Sequence, residues 1–140
     1  IGSIQSKKVK SIFEHCDGIH SIDRMKIVRL IRELEKHSTI KKEYFIQVNI
    51  GNEKQKFGVD KLSVTGLYSY CKALNLDVVG LMCIPPLNQP SKIFFKEMSE
   101  MSKKFNFEEL SMGMSSDYLD AIKNSATYVR IGSNIFGQRS

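Results

Sequence analysis

The sequence predicts an α/β fold, a parallel sheet with helices packed outside it. Three observations carry that reading. Strand-like and helix-like hydrophobic patterns alternate along the chain. The connections between them are short, as in βαβ units. Residues 77–84 form a nearly continuous apolar run, the pattern of a parallel strand buried on both faces. Periodicity leaves open whether the sheet is doubly wound or closed into a barrel. In either case the loops at the C-terminal ends of the strands are the functional ones.

The elements follow in order. Residues 1–5 read as the end of a strand running into a loop, and 18–22 as a short apolar stretch. Asp23 then stands as an N-cap before Ile27, Leu30, Ile31 and Leu34 at helical spacing. Residues 44–50 are strand-like, 51–60 a polar loop with two glycines, and Val64, Leu67, Tyr68 and Cys71 a helix stripe. Pro85, Pro86 and Pro90 exclude regular structure after the strand at 77–84, and Ser91 is placed to cap a helix through Phe94, Phe95, Met98 and Phe105. Residues 108–113 form the next strand, 115–123 a short helix, 127–131 the last strand, and 133–137 a half-turn of helix.

With 140 residues, 41% hydrophobic and 26% charged, the chain suits one globular domain spanning 1–140, without repeat, low-complexity stretch or linker. No apolar run approaches a membrane span, and Lys7, Lys8 and Lys10 lead into no secretory segment. Cys16, Cys71 and Cys83 are odd in number and form no CxxC pair, which points to reduced thiols in a cytoplasm. The net charge of +6 comes from lysines scattered among acids, without the aromatic interleaving of a nucleic-acid surface. It reads as solvated helix faces with some attraction for anionic small molecules.

Two strand exits carry the chemistry. At Gly113-Met114-Ser115-Ser116-Asp117 a strand passes through glycine into a helix start, where free N–H groups favour an anion. Ser115 can offer hydroxyl and amide there, or simply cap the helix. At Arg130-Ile131-Gly132-Ser133, Gly132 allows a ligand close to the backbone and Ser133 adds a hydroxyl. Arg130 sits in an apolar strand and needs a partner, for which Asp117 or Glu108 would serve in a purely structural ion pair. Barrel phosphate sites use the last two strand exits, which favours the functional reading. His15, His20 and His37 have no ligand spacing, and His20-Ser21-Ile22-Asp23 is explained by a strand end and a cap.

These residues, taken together, resemble a known family. Gly2-Ser3-Ile4-Gln5-Ser6-Lys7-Lys8, His20-Ser21-Ile22-Asp23-Arg24, Gln47-Val48-Asn49-Ile50 and Lys56-Phe57-Gly58-Val59 look like the pyridoxal phosphate homeostasis (YggS/PROSC) family. So do Gly80-Leu81-Met82-Cys83-Ile84-Pro85-Pro86, Leu110-Ser111-Met112-Gly113-Met114-Ser115, and Val129-Arg130-Ile131-Gly132-Ser133 with Ile135-Phe136-Gly137. They stand in family order and cover essentially the whole chain. Lys7 departs from the pattern, which usually has asparagine there.

The resemblance implies a partial TIM (β/α)8 barrel like the N-terminal domain of alanine racemase, with strands four to eight plus the end of strand three. It implies pyridoxal 5'-phosphate as cofactor, with Ser115, Gly132 and Ser133 around its phosphate and Arg130 at the pyridine nitrogen. It implies a noncatalytic, cytoplasmic carrier that buffers the cofactor and delivers it to pyridoxal-phosphate-dependent apoenzymes, with no nucleic acid or membrane as partner. A racemase-like enzyme and an inactive remnant are the alternatives. The family's Schiff-base lysine falls in the first strand, which is expected to precede Ile1. The full-length family is expected to be monomeric. Five strands would leave two open edges with apolar inner faces, so self-association is expected of this chain.

Overall fold

The structure, a computed structural model, describes residues 2–54 and 56–137. Five strands make one all-parallel sheet: β1 (Gly18–Ile22), β2 (Glu43–Val48), β3 (Val78–Cys83), β4 (Glu109–Met114) and β5 (Tyr128–Arg130). Helix α1 (Val9–His15) precedes β1. Helices α2 (Met25–Glu35), α3 (Val64–Ala73), α4 (Ser91–Phe105) and α5 (Tyr118–Lys123) bridge successive strands, and α6 (Ser133–Phe136) follows β5. The strands lie in chain order, β1-β2-β3-β4-β5. A doubly wound sheet would reverse direction at a switch point, whereas sequential order is that of a barrel wall.

The wall is curled. Tyr128 on β5 reaches His20 on β1 and Phe45 on β2, with ring centroids 5.2 and 5.4 Å away. Its hydroxyl also donates to the Glu43 carboxylate at 2.7 Å. Register settles which side chains share a face. Gln47 lies opposite Met82, Met82 opposite Ser111, and Ser111 opposite Tyr128, so these four line the concave side. Ile46, Leu81 and Leu110, in register with one another, face the helices instead.

The main core lies between that convex face and the helices. Ile27, Val28 and Ile31 of α2, Val64, Leu67 and Cys71 of α3, and Phe95 and Met98 of α4 are buried there. The sequence stripes therefore mark the inward faces of these helices. Phe13 and Phe95 are buried in the core, while Phe94 and Phe105 pack against its margin. Helices α3, α4 and α5 end on left-handed Asn75, Asn106 and Ser125. There the N–H of the residue after the left-handed one donates back to the helix's last turn, as Phe107 does to Ser102 at 3.1 Å.

Several sequence expectations shift. Residues 2–5 form no strand, and residue 1 lies outside the described residues. Asp23 caps no helix: Arg24 holds the N-cap position without a side-chain bond, and Asp23 instead accepts from the Ser3 hydroxyl at 3.0 Å and pairs with Arg24. Arg24 also donates to the Ile4 carbonyl at 2.6 Å, fastening the leading segment to the β1 exit. Ser91 is the first residue of α4, not its cap, because Pro90 occupies the cap and offers no side-chain acceptor. β1 and β5 do stand at the two ends of the sheet. Their concave-face side chains, however, are His20, Tyr128 and Arg130, which bond across the curl rather than form an apolar surface.

Two predictions follow from the packing. A Cβ at Gly80 would fall 2.1 Å from the Glu109 carbonyl oxygen, a backbone atom that cannot yield without parting β3 from β4. Gly80→Ala should therefore cost about 1–3 kcal/mol or more in urea unfolding. Cys71 and Cys83 are buried free thiols, each pushed up to about 12 by burial, whereas Cys16 is exposed. Thiol titration of the native chain should label Cys16 alone, with the other two reacting only after denaturation.

Candidate functional site

The exits of β4 and β5 lie side by side. β4 leaves through Gly113 at φ +94°, where a Cβ would meet that of Ala121 at 2.5 Å, so glycine lets α5 sit hard against the strand. The turn is closed by Asp117, whose carboxylate accepts from the Met114 N–H at 2.7 Å and whose own N–H donates to the Met114 carbonyl at 3.0 Å. Helix α5 begins only at Tyr118, three residues later than the sequence suggested, because this turn consumes 115–117.

Ser115 is thus free of its own helix and serves the neighbouring exit. Its hydroxyl oxygen accepts from the N–H of Gly132 at 3.2 Å and of Asn134 at 3.4 Å. The Asn134 side-chain amide donates in return to the Ser115 carbonyl at 3.0 Å. Gly132 has nothing within 4 Å of where a Cβ would stand, so its backbone is open to a ligand. Ser133 opens α6 and is exposed. The three residues named from sequence for an anion are therefore brought together, and Asn134 joins them.

Arg130 takes neither of the carboxylates that sequence offered. Its Nη1 donates to the Ser111 hydroxyl and its Nη2 to the Cys83 carbonyl, both at 2.8 Å. Neither Asp117 nor Glu108 forms an ion pair with it. Burial pushes the guanidinium down from its ordinary value, opposed by the neighbouring Cys83 and Asp117. On the far side of Ser111, the same hydroxyl lies 2.9 Å from His20 Nδ1. Burial, and then the charge of Arg130, hold the His20 imidazole below its ordinary value, with Glu43 opposing.

Sequence reasoning missed His20, Ser111 and Asn134. The available signal was modest: His20 and Ser111 are polar residues inside strands, and each needs a partner there. Asp23 is not the partner of His20, since its carboxylate is committed to Ser3 and Arg24. No group of three metal-ligating side chains occurs among the described residues, and no described helix is long and apolar enough to cross a membrane. Hollows also lie away from these exits. One of about 250 Å³ lies between residues 2–5, α1 and β1, and an open groove of about 610 Å³ runs between α2 and α3. Neither is lined by Ser115, Arg130, Gly132 or Ser133.

Scanned against models of protein families, the chain matches none. Among curated proteins it is 37% identical to the pyridoxal phosphate homeostasis protein of Aquifex aeolicus, over 99% of this chain and 65% of that one. It is 34% identical to the protein of the same name from Corynebacterium glutamicum, over 99% of this chain and 69% of the relative. The chain belongs to the pyridoxal phosphate homeostasis family. It spans about two thirds of the length of these family members, 63% in Vibrio cholerae. PipY of Synechococcus elongatus PCC7942, solved without pyridoxal phosphate, superposes with a TM-score of 0.86 at 28% identity, covering 98% of this chain and 69% of PipY. The same protein with pyridoxal phosphate bound gives 0.84. An alanine racemase of Clostridium difficile 630, at 15% identity and a TM-score of 0.71 over 99% of this chain and 39% of the racemase, shares the fold. The partial α/β-barrel read from the family's motifs is the fold this family member has.

The bond between the exits makes a prediction in the free chain. Ser115→Ala should speed amide hydrogen exchange at Gly132 and Asn134 while leaving Leu110, held by the Thr127 hydroxyl at 2.8 Å, unchanged. Exchange measured residue by residue checks it.

Proposed function

We propose that this chain binds pyridoxal 5'-phosphate and serves as a noncatalytic carrier in intracellular homeostasis of that cofactor. One observation carries the reading. The amides of Gly132 and Asn134 converge on a single oxygen position, now taken by Ser115 Oγ, on the strand exit that follows Arg130, whose guanidinium has no carboxylate partner among the described residues. That arrangement fits a phosphate oxygen, which accepts from backbone N–H groups as the serine oxygen does. Ser115, Gly132 and Ser133 would hold the phosphate, with Asn134 added by the geometry, and Arg130 would face the ring. The family membership and the pyridoxal-phosphate-bound PipY neighbour support the same cofactor.

Bound pyridoxal phosphate supplies an aldehyde and an electron-withdrawing ring. Arg130 can only donate and stays charged, so it disfavours a proton on a ring nitrogen placed before it. The ring is then a poorer electron sink, which suits storage and release over transformation of amino acids. None of the five described strands carries a lysine. Nothing in the site favours the racemase-like alternative. Cytoplasmic residence, delivery to pyridoxal-phosphate-dependent apoenzymes, and self-association through the one-sided strands β1 and β5 complete the proposal.

Ser115→Ala should weaken retention of pyridoxal phosphate by about 1–3 kcal/mol, the usual worth of a hydrogen bond to a charged group. Arg130→Ala should change the absorbance of the bound cofactor, and its pH dependence, more than its affinity. Equilibrium dialysis with absorbance detection reads both. An unchanged spectrum in Arg130→Ala would refute the assignment of that residue to the ring.

A further inference from the structure

The contacts of Ser111 fix more than the place of Arg130. A guanidinium has donors only, so its Nη1–H must occupy a lone pair of Ser111 Oγ. The hydroxyl proton can then be directed to His20 Nδ1 at 2.9 Å, and in that arrangement the nitrogen is the acceptor and the ring proton resides on Nε2. The plane of the imidazole is set by its aromatic neighbours. It lies 4.0 Å from the Phe45 ring and meets the edge of Tyr128 at 5.2 Å. Arg130 Nη2 is held independently by the Cys83 carbonyl. The guanidinium is therefore gripped at two nitrogens by neutral acceptors, and among the described residues its remaining donors meet no other protein group.

We infer that His20 and Ser111 are positioning residues: His20, in its neutral form, orients the Ser111 hydroxyl that holds Arg130, so hold on a cofactor ring placed before Arg130 weakens in acid. The inference rests on the carrier reading above. A proton on His20 Nδ1 would turn that atom from acceptor to donor. Ser111 Oγ would then face two cationic donors, and its own proton would lose its acceptor. Arg130 and Tyr128 of β5, Glu43 of β2 and Ser111 of β4 face the imidazole. Of these, Arg130 opposes the protonated form and Glu43 favours it. The sign follows from His20 lying below 6.5 in the folded chain. The favourable contribution is fully present above that value and is lost as pH falls through the lower, folded value.

The first test needs no cofactor. The His20 imidazole C2 proton is followed by NMR from about pH 8 to about pH 5 in the wild-type chain and in Arg130→Gln. A wild-type midpoint below 6.5 that rises when the arginine charge is removed is expected; identical midpoints overturn the network. The second test uses pyridoxal phosphate itself as probe, with wild type, His20→Asn and His20→Phe. Asparagine presents a carbonyl oxygen near the place of Nδ1 without titrating, whereas phenylalanine leaves the Ser111 proton without an acceptor.

The wild type should lose affinity by about fivefold more than His20→Asn between neutral and acid pH, a modest coupling between sites. His20→Phe should bind more weakly throughout with a shifted absorbance, and His20→Asn should restore the wild-type spectrum at neutral pH. Binding by all three with one spectrum and one pH profile overturns the inference alone. Failure of the wild type to bind pyridoxal phosphate overturns the carrier reading and the cofactor-directed role together.

Discussion

The curl of the sheet is the constraint on which the rest depends. Five parallel strands in chain order, laid flat, would keep β5 far from β1. Rolled, they place Tyr128 against His20 and Phe45 and bring Arg130 within reach of β4 and β3 at once. The close approach of Gly80 to the Glu109 carbonyl belongs to the same geometry, since no side chain fits between β3 and β4 at that level. Neither feature is local. Each exists because strands remote in sequence are neighbours across the curl or in the ladder.

Placing a guanidinium on the concave face raises the question of how its charge is tolerated. A carboxylate would neutralise it and leave it inert toward a ligand. The structure supplies neutral oxygens instead, from Ser111 and from the Cys83 backbone. These satisfy the donors without cancelling the charge, and half-exposure lets solvent supply the rest. Such an arginine stays available to the lone pair of a ring nitrogen, which is the property the proposed carrier requires. The price is local polarity in the wall, met by bonding His20, Ser111 and Arg130 into one chain.

The proposed phosphate side is built differently, from backbone rather than from charge. Ser115 Oγ, Gly132 N–H and Asn134 N–H form a small closed set at exposed loop tips. The bonds at 3.2 and 3.4 Å are long, so a better acceptor can replace the serine oxygen at little cost. Rigid strands beneath carry these loops, with Asp117 bracing one exit and Gly113 letting α5 pack against it. Arg130 on a strand and Ser115 in a turn thus have different stiffness, suited to a fixed ring contact and an adaptable phosphate contact.

Much of this was legible in the sequence. Alternating periodicities marked all five strands and their helices to within a few residues, because each buries one apolar stripe whose spacing is set by its own backbone. The ordered motifs of the resemblance singled out Ser115, Arg130, Gly132 and Ser133, which lie at or beside the two strand exits. Helix starts were read less well: Asp23 and Ser91 look like caps, but Asp23 is claimed by Ser3 and Arg24, and Pro90 takes the cap before Ser91. Local propensity cannot foresee a competing partner twenty residues away. What only the tertiary structure decided is which groups meet. Ser111 accepts from Arg130, nineteen residues on, and bonds His20, ninety-one residues back. Those distances along the chain carry no periodic signal, and they close to hydrogen-bond length only because the sheet curls.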